Sequence, residues 1–110
     1  MADRTGRSDD SLAKEFDTAM LSIYERALAE ARYPAVRFLQ MLNEHGGVET
    51  ANRLLPSMSQ GFEELWNRKR LDLTMEALII RSQWRSLFTP EQLKIAEDRL
   101  RDCGYAGPWS

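Results

Sequence analysis

Helix-breaking residues constrain this chain more than its composition does. Pro34, the pair Gly46-Gly47, Pro56, Pro90 and Gly104 divide it into segments too short for anything but single helices or strands. Within each segment the apolar residues recur at spacings of three and four, the period of one helix face. Phe16, Met20, Ile23 and Ala27 form such a stripe in the first segment, and Ala19, Tyr24, Leu28 and Ala31 widen it. Pro34 disfavours helical geometry at Tyr33 and suits the first turn of a second helix. That helix carries Ala35, Phe38, Leu39 and Leu42 on its inner side and stops at Gly46-Gly47.

A short third helix follows, with Val48, Ala51, Leu54 and Leu55 on one side and Pro56 closing it. Ser57 and Gln60 have the spacing of a capping box for a fourth helix, which places Met58, Phe62, Leu65 and Trp66 together. Asp72 can cap a fifth, apolar nearly all round at Ala77 to Ile80 and therefore central. It is expected to fray between Ser82 and Phe88. Thr89, Pro90 and Gln92 form the clearest start signal, for a last helix lined by Leu93, Ala96, Leu100 and Cys103 and ended by Gly104. Tyr105 can fold back onto its last turn, and Trp109 can pack back or stay exposed. "DLTMEALII" has strand-like composition, but Glu76 and a cap at Asp72 favour helix, and no window alternates strictly. The expected fold is all-α: a compact orthogonal bundle of about five to six short helices, with a long N-terminal helix starting near Asp9, Asp10 or Ser11 and no sheet. Residues 1–10 read as a flexible polar tail and residues 11–110 as a single helical domain.

The 110 residues are 43% hydrophobic and 29% charged, enough for one soluble domain with its own core. A net charge of −2 supplies no general pull toward nucleic acid or a membrane surface. Cys103 is the only cysteine, which suits a reducing cytoplasm. "MADRTGRSDD" lacks the apolar centre of a signal peptide. No apolar run approaches the ~18 residues of a membrane helix. A cytoplasmic location without membrane association is expected.

Chemistry has few footholds. His45 is the only histidine and stands at a helix end, far in sequence from Cys103, whereas a zinc site takes three or four such ligands at close spacing. Cys103 lies on an inner stripe, where cysteine behaves as a small hydrophobe. Asp9-Asp10, Glu63-Glu64 and Glu97-Asp98 are sequence neighbours that point apart on a helix. Gly46-Gly47 has neither the lysine nor the preceding strand of a phosphate loop. No catalytic residue, metal site or cofactor is expected, and His45 and Cys103 read as structural.

The basic residues remain. Arg68, Lys69 and Arg70 close the fourth helix, where cations complement the helix dipole. Arg81 and Arg85, four apart, repel one another unless they share a carboxylate or an anion. The candidate interaction surface comprises Ile23, Tyr24, Arg68, Lys69, Arg70, Arg81, Trp84 and Arg85. The leading expectation is a non-enzymatic protein-interaction or accessory module. Its partner would be another protein or a second copy, with the wide first helix contacting its own domain along one edge and a symmetry mate along the other. The alternative is a small helix-turn-helix-like DNA-binding protein, with "RLLPSMSQGFEELWNRKR" entering a groove.

Three blocks, "YPAVRFLQMLNEHGGVETANRLL", "GFEELWNRKRLDLTMEALII" and "LFTPEQLKIAEDRLRDCGY", resemble a family of small, functionally uncharacterised bacterial helical modules. Such modules occur alone or appended to larger proteins of the restriction or nuclease kind. The resemblance spans about residues 33 to 105 and rests on apolar and turn positions. It implies a fold and an accessory role, with a link to bacterial defence or DNA processing, and carries no catalytic motif.

Overall fold

The computed structural model describes residues 2–110, with side chains from Ser11 onward. The chain forms α1 (Ala2–Ala31), α2 (Val36–Leu54), α3 (Gln60–Asn67), α4 (Met75–Ile79) and α5 (Pro90–Asp102), with 3-10 turns at Leu71–Leu73 and Arg85–Leu87. No strand occurs among the described residues, so the all-α expectation holds. No described helix is long and apolar enough to cross a membrane. Helix α1 starts earlier than the expected cap at Asp9, Asp10 or Ser11, since its backbone is helical from Ala2. No proline or glycine stands in residues 8–13 to stop it. The side chains of the expected polar tail, residues 1–10, lie outside the described ones.

The two glycines after His45 do different work. Gly46 adopts φ 82° and ψ 172°, a combination open essentially to glycine alone. It kinks α2 into halves at 36–45 and 47–54, the two segments read from the sequence. Gly47 is required for space instead. A Cβ there would stand 2.9 Å from Phe16 Cδ2 and 3.3 Å from Met20 Cγ. The Gly47 N–H donates to Asp17 Oδ1 at 2.6 Å, so a carboxylate of α1 caps the second half of α2. These two helices share the most extensive helix–helix contact in the molecule.

The cap at Thr89 forms as read. Its Oγ1 accepts from Gln92 N at 3.1 Å, and Gln92 Oε1 accepts from Thr89 N at 2.9 Å. Two other caps differ from expectation. Helix α3 is capped by Ser59, whose Oγ accepts from Phe62 N, and not by Ser57 and Gln60. Helix α4 is capped by Thr74, whose Oγ1 accepts from Ala77 N at 3.1 Å. Asp72 is unavailable for that role because Arg70 holds its carboxylate. The fifth expected helix is thereby reduced to α4 between two 3-10 turns.

Helix α5 ends in a Schellman closure at Gly104 (φ 84°), with Tyr105 N donating to Leu100 O at 2.9 Å and Gly104 N to Arg101 O at 3.1 Å. Trp109 packs back, its ring 5.2 Å from that of Tyr105. Helix α3 ends in the same closure with Lys69 in the glycine position, at φ 61°. Arg70 N donates to Leu65 O at 2.8 Å and Lys69 N to Trp66 O at 2.9 Å.

The core lies where the stripes converge. Phe16 is fully buried, with Trp84 and Phe88 edge-on at 5.4 Å each. Ile79 and Ile80 are likewise fully buried, which makes α4 the central element, as its composition implied. A second, smaller cluster joins Ala27 of α1 to Leu65 and Leu73. The Phe16, Met20, Ile23 and Ala27 line of α1 is thus covered by its own chain, while Leu28 at its edge stays exposed.

Two substitutions should therefore move stability in opposite directions in urea unfolding. Gly47→Ala overpacks the α1–α2 contact and should lose about 1–3 kcal/mol. Lys69→Gly relieves a left-handed backbone and should gain roughly 0.5–1 kcal/mol after the added unfolded-state entropy is counted. An unchanged midpoint for Gly47→Ala would show that the two helices approach less closely than described.

Candidate interaction cleft

The eight residues singled out from the sequence do not form one surface. Ile23 and Trp84 are core side chains, 8% and 7% exposed. Tyr24 is half-buried. Arg81 Nε donates to Ser110 O at 3.0 Å. Arg85 donates to Ile80 O and to Glu97 Oε2, both at 3.0 Å. Among the described residues the two arginines share no carboxylate.

The triplet at the end of α3 is a clasp on α1. Arg68 Nε donates to Ala31 O at 3.0 Å, its guanidinium lies 5.2 Å from the Tyr33 ring centre, and it pairs with Glu64. Arg70 donates to Glu30 at 2.7 Å and to both oxygens of Asp72 at 3.0 Å. Hydrogen bonds from Arg26 and then Arg70 hold the Glu30 carboxyl down at about 2. Lys69 stays exposed and forms no ion pair among the described residues. Arg68 and Arg70 thus each join a partner within four residues, Glu64 and Asp72, to one more than thirty residues away on α1, Ala31 and Glu30.

A cleft opens on the same side of the molecule. Arg32 leaves α1 at φ 57°, and Tyr33 N returns to donate to Ala27 O at 3.0 Å. That reversal sets the Tyr33 ring beside the first half of α2, opposite the start of α3. Beneath lies a cavity of about 40 Å³, walled by Ile23, Phe38, Leu54, Phe62 and Leu65, with Glu76 also on its lining. An outer cleft of about 230 Å³, bordered by Arg37, Met41 and Gln60, shares Tyr33, Phe38, Leu54, Ser59 and Gly61 with it. Those shared residues form the neck. Burial and then the Glu64 carboxylate push the Tyr33 phenol up, with Arg68 opposing.

Gly61 stands in the first turn of α3. A Cβ there would meet only Ser59 Oγ at 3.8 Å and Tyr33 Oη at 3.9 Å, ordinary contact distances. Packing does not demand glycine at this position.

Glu76, 1% exposed, is the charged group nearest the cavity. Its Oε2 accepts from an Arg99 nitrogen at 2.8 Å, and a second Arg99 nitrogen donates to Leu55 O at 2.9 Å. Burial pushes the Glu76 carboxyl above its usual value, and Arg99 pulls it back only in part. Cys103 is pushed up by burial and by Asp102, the opposite of thiolate activation. His45 Nε2 lies 3.7 Å from Glu44 Oε1. Among the described residues, no three of His, Cys, Asp and Glu converge.

Sequence reasoning passed over Arg37 and Gly61 and read Phe38 and Leu54 as plain core. The available signal was Gly61 itself, a glycine inside the first turn of a striped helix. Comparison with known proteins finds no family model, no curated protein and no solved structure that matches this chain.

The Glu76–Arg99 pair gives a pH-dependent expectation. Arg99→Met leaves a buried carboxylate without its partner and should cost about 3 kcal/mol at pH 7. The folded-state pKa of Glu76 is raised from 4.5, so folding favours its protonated form. The penalty is absent below the unfolded value and grows as pH rises through the folded one. The deficit relative to wild type should therefore shrink markedly at pH 4 in paired urea titrations. An equal deficit at both pH values would place the cost in lost packing and the Leu55 bond.

Proposed function

We propose that the protein is a non-enzymatic interaction module that takes an apolar side chain of a protein partner into the cleft between α2 and α3. The observation that carries this reading is Gly61, which leaves the neck of an apolar cavity open although the backbone and its neighbours would accept alanine. The outer cleft of about 230 Å³, lined by Tyr33, Phe38, Met41 and Leu54 beside Arg37, suits an inserted apolar group. An accessory role of this kind agrees with the resemblance of the three sequence blocks to small appended helical modules.

The DNA-binding alternative draws less support. Arg68, Arg70 and Arg85 are each bonded to carboxylates of this same chain, and phosphate contacts would have to replace those bonds.

Selection of a random peptide display library on the wild-type protein, followed by counter-screening on Gly61→Leu, tests the reading. The enriched peptides should share one large apolar residue and lose at least tenfold in affinity on the variant, because the leucine occupies the neck. A tenfold loss corresponds to about 1.4 kcal/mol, within the range of burying one such side chain. Peptides that bind both proteins equally would place the interaction elsewhere.

A further inference from the structure

We infer that the hairpin of α1 and the first half of α2 docks onto a second copy of itself, through a knob and a groove carried on one face. The groove is open, about 290 Å³ in volume, and lined by Leu21, Leu42 and Asn43 with Asp17 and Thr18. That exceeds the roughly 150 Å³ in which an apolar protein cavity takes a whole benzene ring, so a leucine or valine side chain fits. The knob follows from periodicity. Leu28 stands seven residues after Leu21 on α1, and Val36 seven before Asn43 on α2, so each shares a helix side with a groove residue. Leu28 is 46% and Val36 55% exposed, the most exposed large apolar side chains among the described residues. They flank the reversal between the two helices, about 10 Å along α1 from the groove at 1.5 Å per residue.

A two-fold axis midway between Leu21 and Leu28 seats each copy's knob in the other's groove, the reciprocity that a contact between identical faces requires. Charge obeys the same axis. Asp17 lies four residues before Leu21 and Arg32 four after Leu28, so the antiparallel alignment brings each Arg32 to the other copy's Asp17. Arg32 is exposed, Asp17 is half-buried with Oδ1 on the Gly47 N–H, and neither forms an ion pair among the described residues. One charge opposes the contact: the exposed Glu25 falls beside the axis, near its own counterpart. The outer cleft is bordered by Arg37 and Met41, on the other flank of α2 from Asn43. The contact therefore leaves the cleft free and stands independently of the function proposed above.

Sedimentation equilibrium between roughly 10 and 500 µM, the range of a small transient interface, tests this. The wild-type protein should dimerise. The variants, each confirmed as folded by circular dichroism, should change the dissociation constant. Leu28→Asp, which removes the knob, and Asn43→Trp, which fills the groove, should each weaken association at least about tenfold, the scale of one buried apolar side chain. Glu25→Gln should tighten it about twofold, the scale of one relieved like-charge contact. The Leu28→Asp protein keeps its groove and the Asn43→Trp protein keeps its knob. An equimolar mixture of the two restores one of the two unions and should associate more tightly than either variant alone. A wild-type protein that stays monomeric through this range overturns the inference. A dimer that neither Leu28→Asp nor Asn43→Trp weakens also overturns it, by placing the contact elsewhere. A mixture that associates no more tightly than its components overturns it as well, because knob and groove would then not meet across the axis.

Discussion

Arg99 reaches from α5 to the Glu76 carboxylate on α4 and to the carbonyl of Leu55 at the end of α2, with its guanidinium 6.0 Å from the Phe62 ring of α3. Four helices meet at this one group. A helix as short as α4 has no stability of its own in water, so its position must come from tertiary contacts. Apolar contacts hold Ile79 and Ile80 in the core, but they fix orientation poorly because they lack direction. The Glu76 bond supplies direction. It also satisfies a carbonyl that the end of α2 leaves without a helical partner. The arrangement costs desolvation of two charges, and such pairs often contribute little net stability. Their effect here is on register: among the described residues Glu76 pairs with Arg99 alone, and any rotation of α4 strands it.

Helix α1 is fixed by different means at two points. Near its middle, Phe16 and Met20 fill the space that Gly47 leaves, and Asp17 accepts from the Gly47 N–H. At its end, Arg68 takes the Ala31 carbonyl and Arg70 the Glu30 carboxylate. The first contact tolerates no extra methyl group, and the second is half-exposed and screened by salt. The closing of α1 over the small cluster of Ala27, Leu65 and Leu73 therefore depends on contacts that are weaker than those in the middle of the helix. The cleft lies beside that more yielding end, where Tyr33 turns back from α1.

Local chemistry made much of this fold readable. The Thr89–Pro90–Gln92 start, the Gly46-Gly47 break, the Gly104 stop and the central burial of Ile79 and Ile80 each depend on residues within one turn of each other. The errors arose where a local signal competed with a distant one. Asp72 is a sound cap by spacing, but Arg70 claims its carboxylate and Thr74 takes the role. Ser57 and Gln60 match a capping box, yet the chain turns two residues later, at Ser59. The arginines were the least readable. Arg68, Arg70 and Arg99 act on Ala31, Glu30 and Glu76, and nothing in a single sequence pairs them. For the same reason the proposed surface of Ile23, Tyr24, Trp84 and the arginines separated into core residues and internal clasps.

Under the proposed interaction reading, the placement of charge favours the cleft over the arginine-rich ends of helices as the place for a partner. A guanidinium bonded to its own chain offers little to a ligand, because each new bond replaces an existing one and the net gain is small. Arg68, Arg70, Arg85 and Arg99 are in that position. Apolar surface behaves otherwise: space left at the neck by Gly61 has no internal occupant to displace, and filling it removes surface from water at no cost in broken bonds. Gly61, a glycine that packing does not demand, and Arg37, an exposed cation without an ion pair among the described residues, both border the outer cleft.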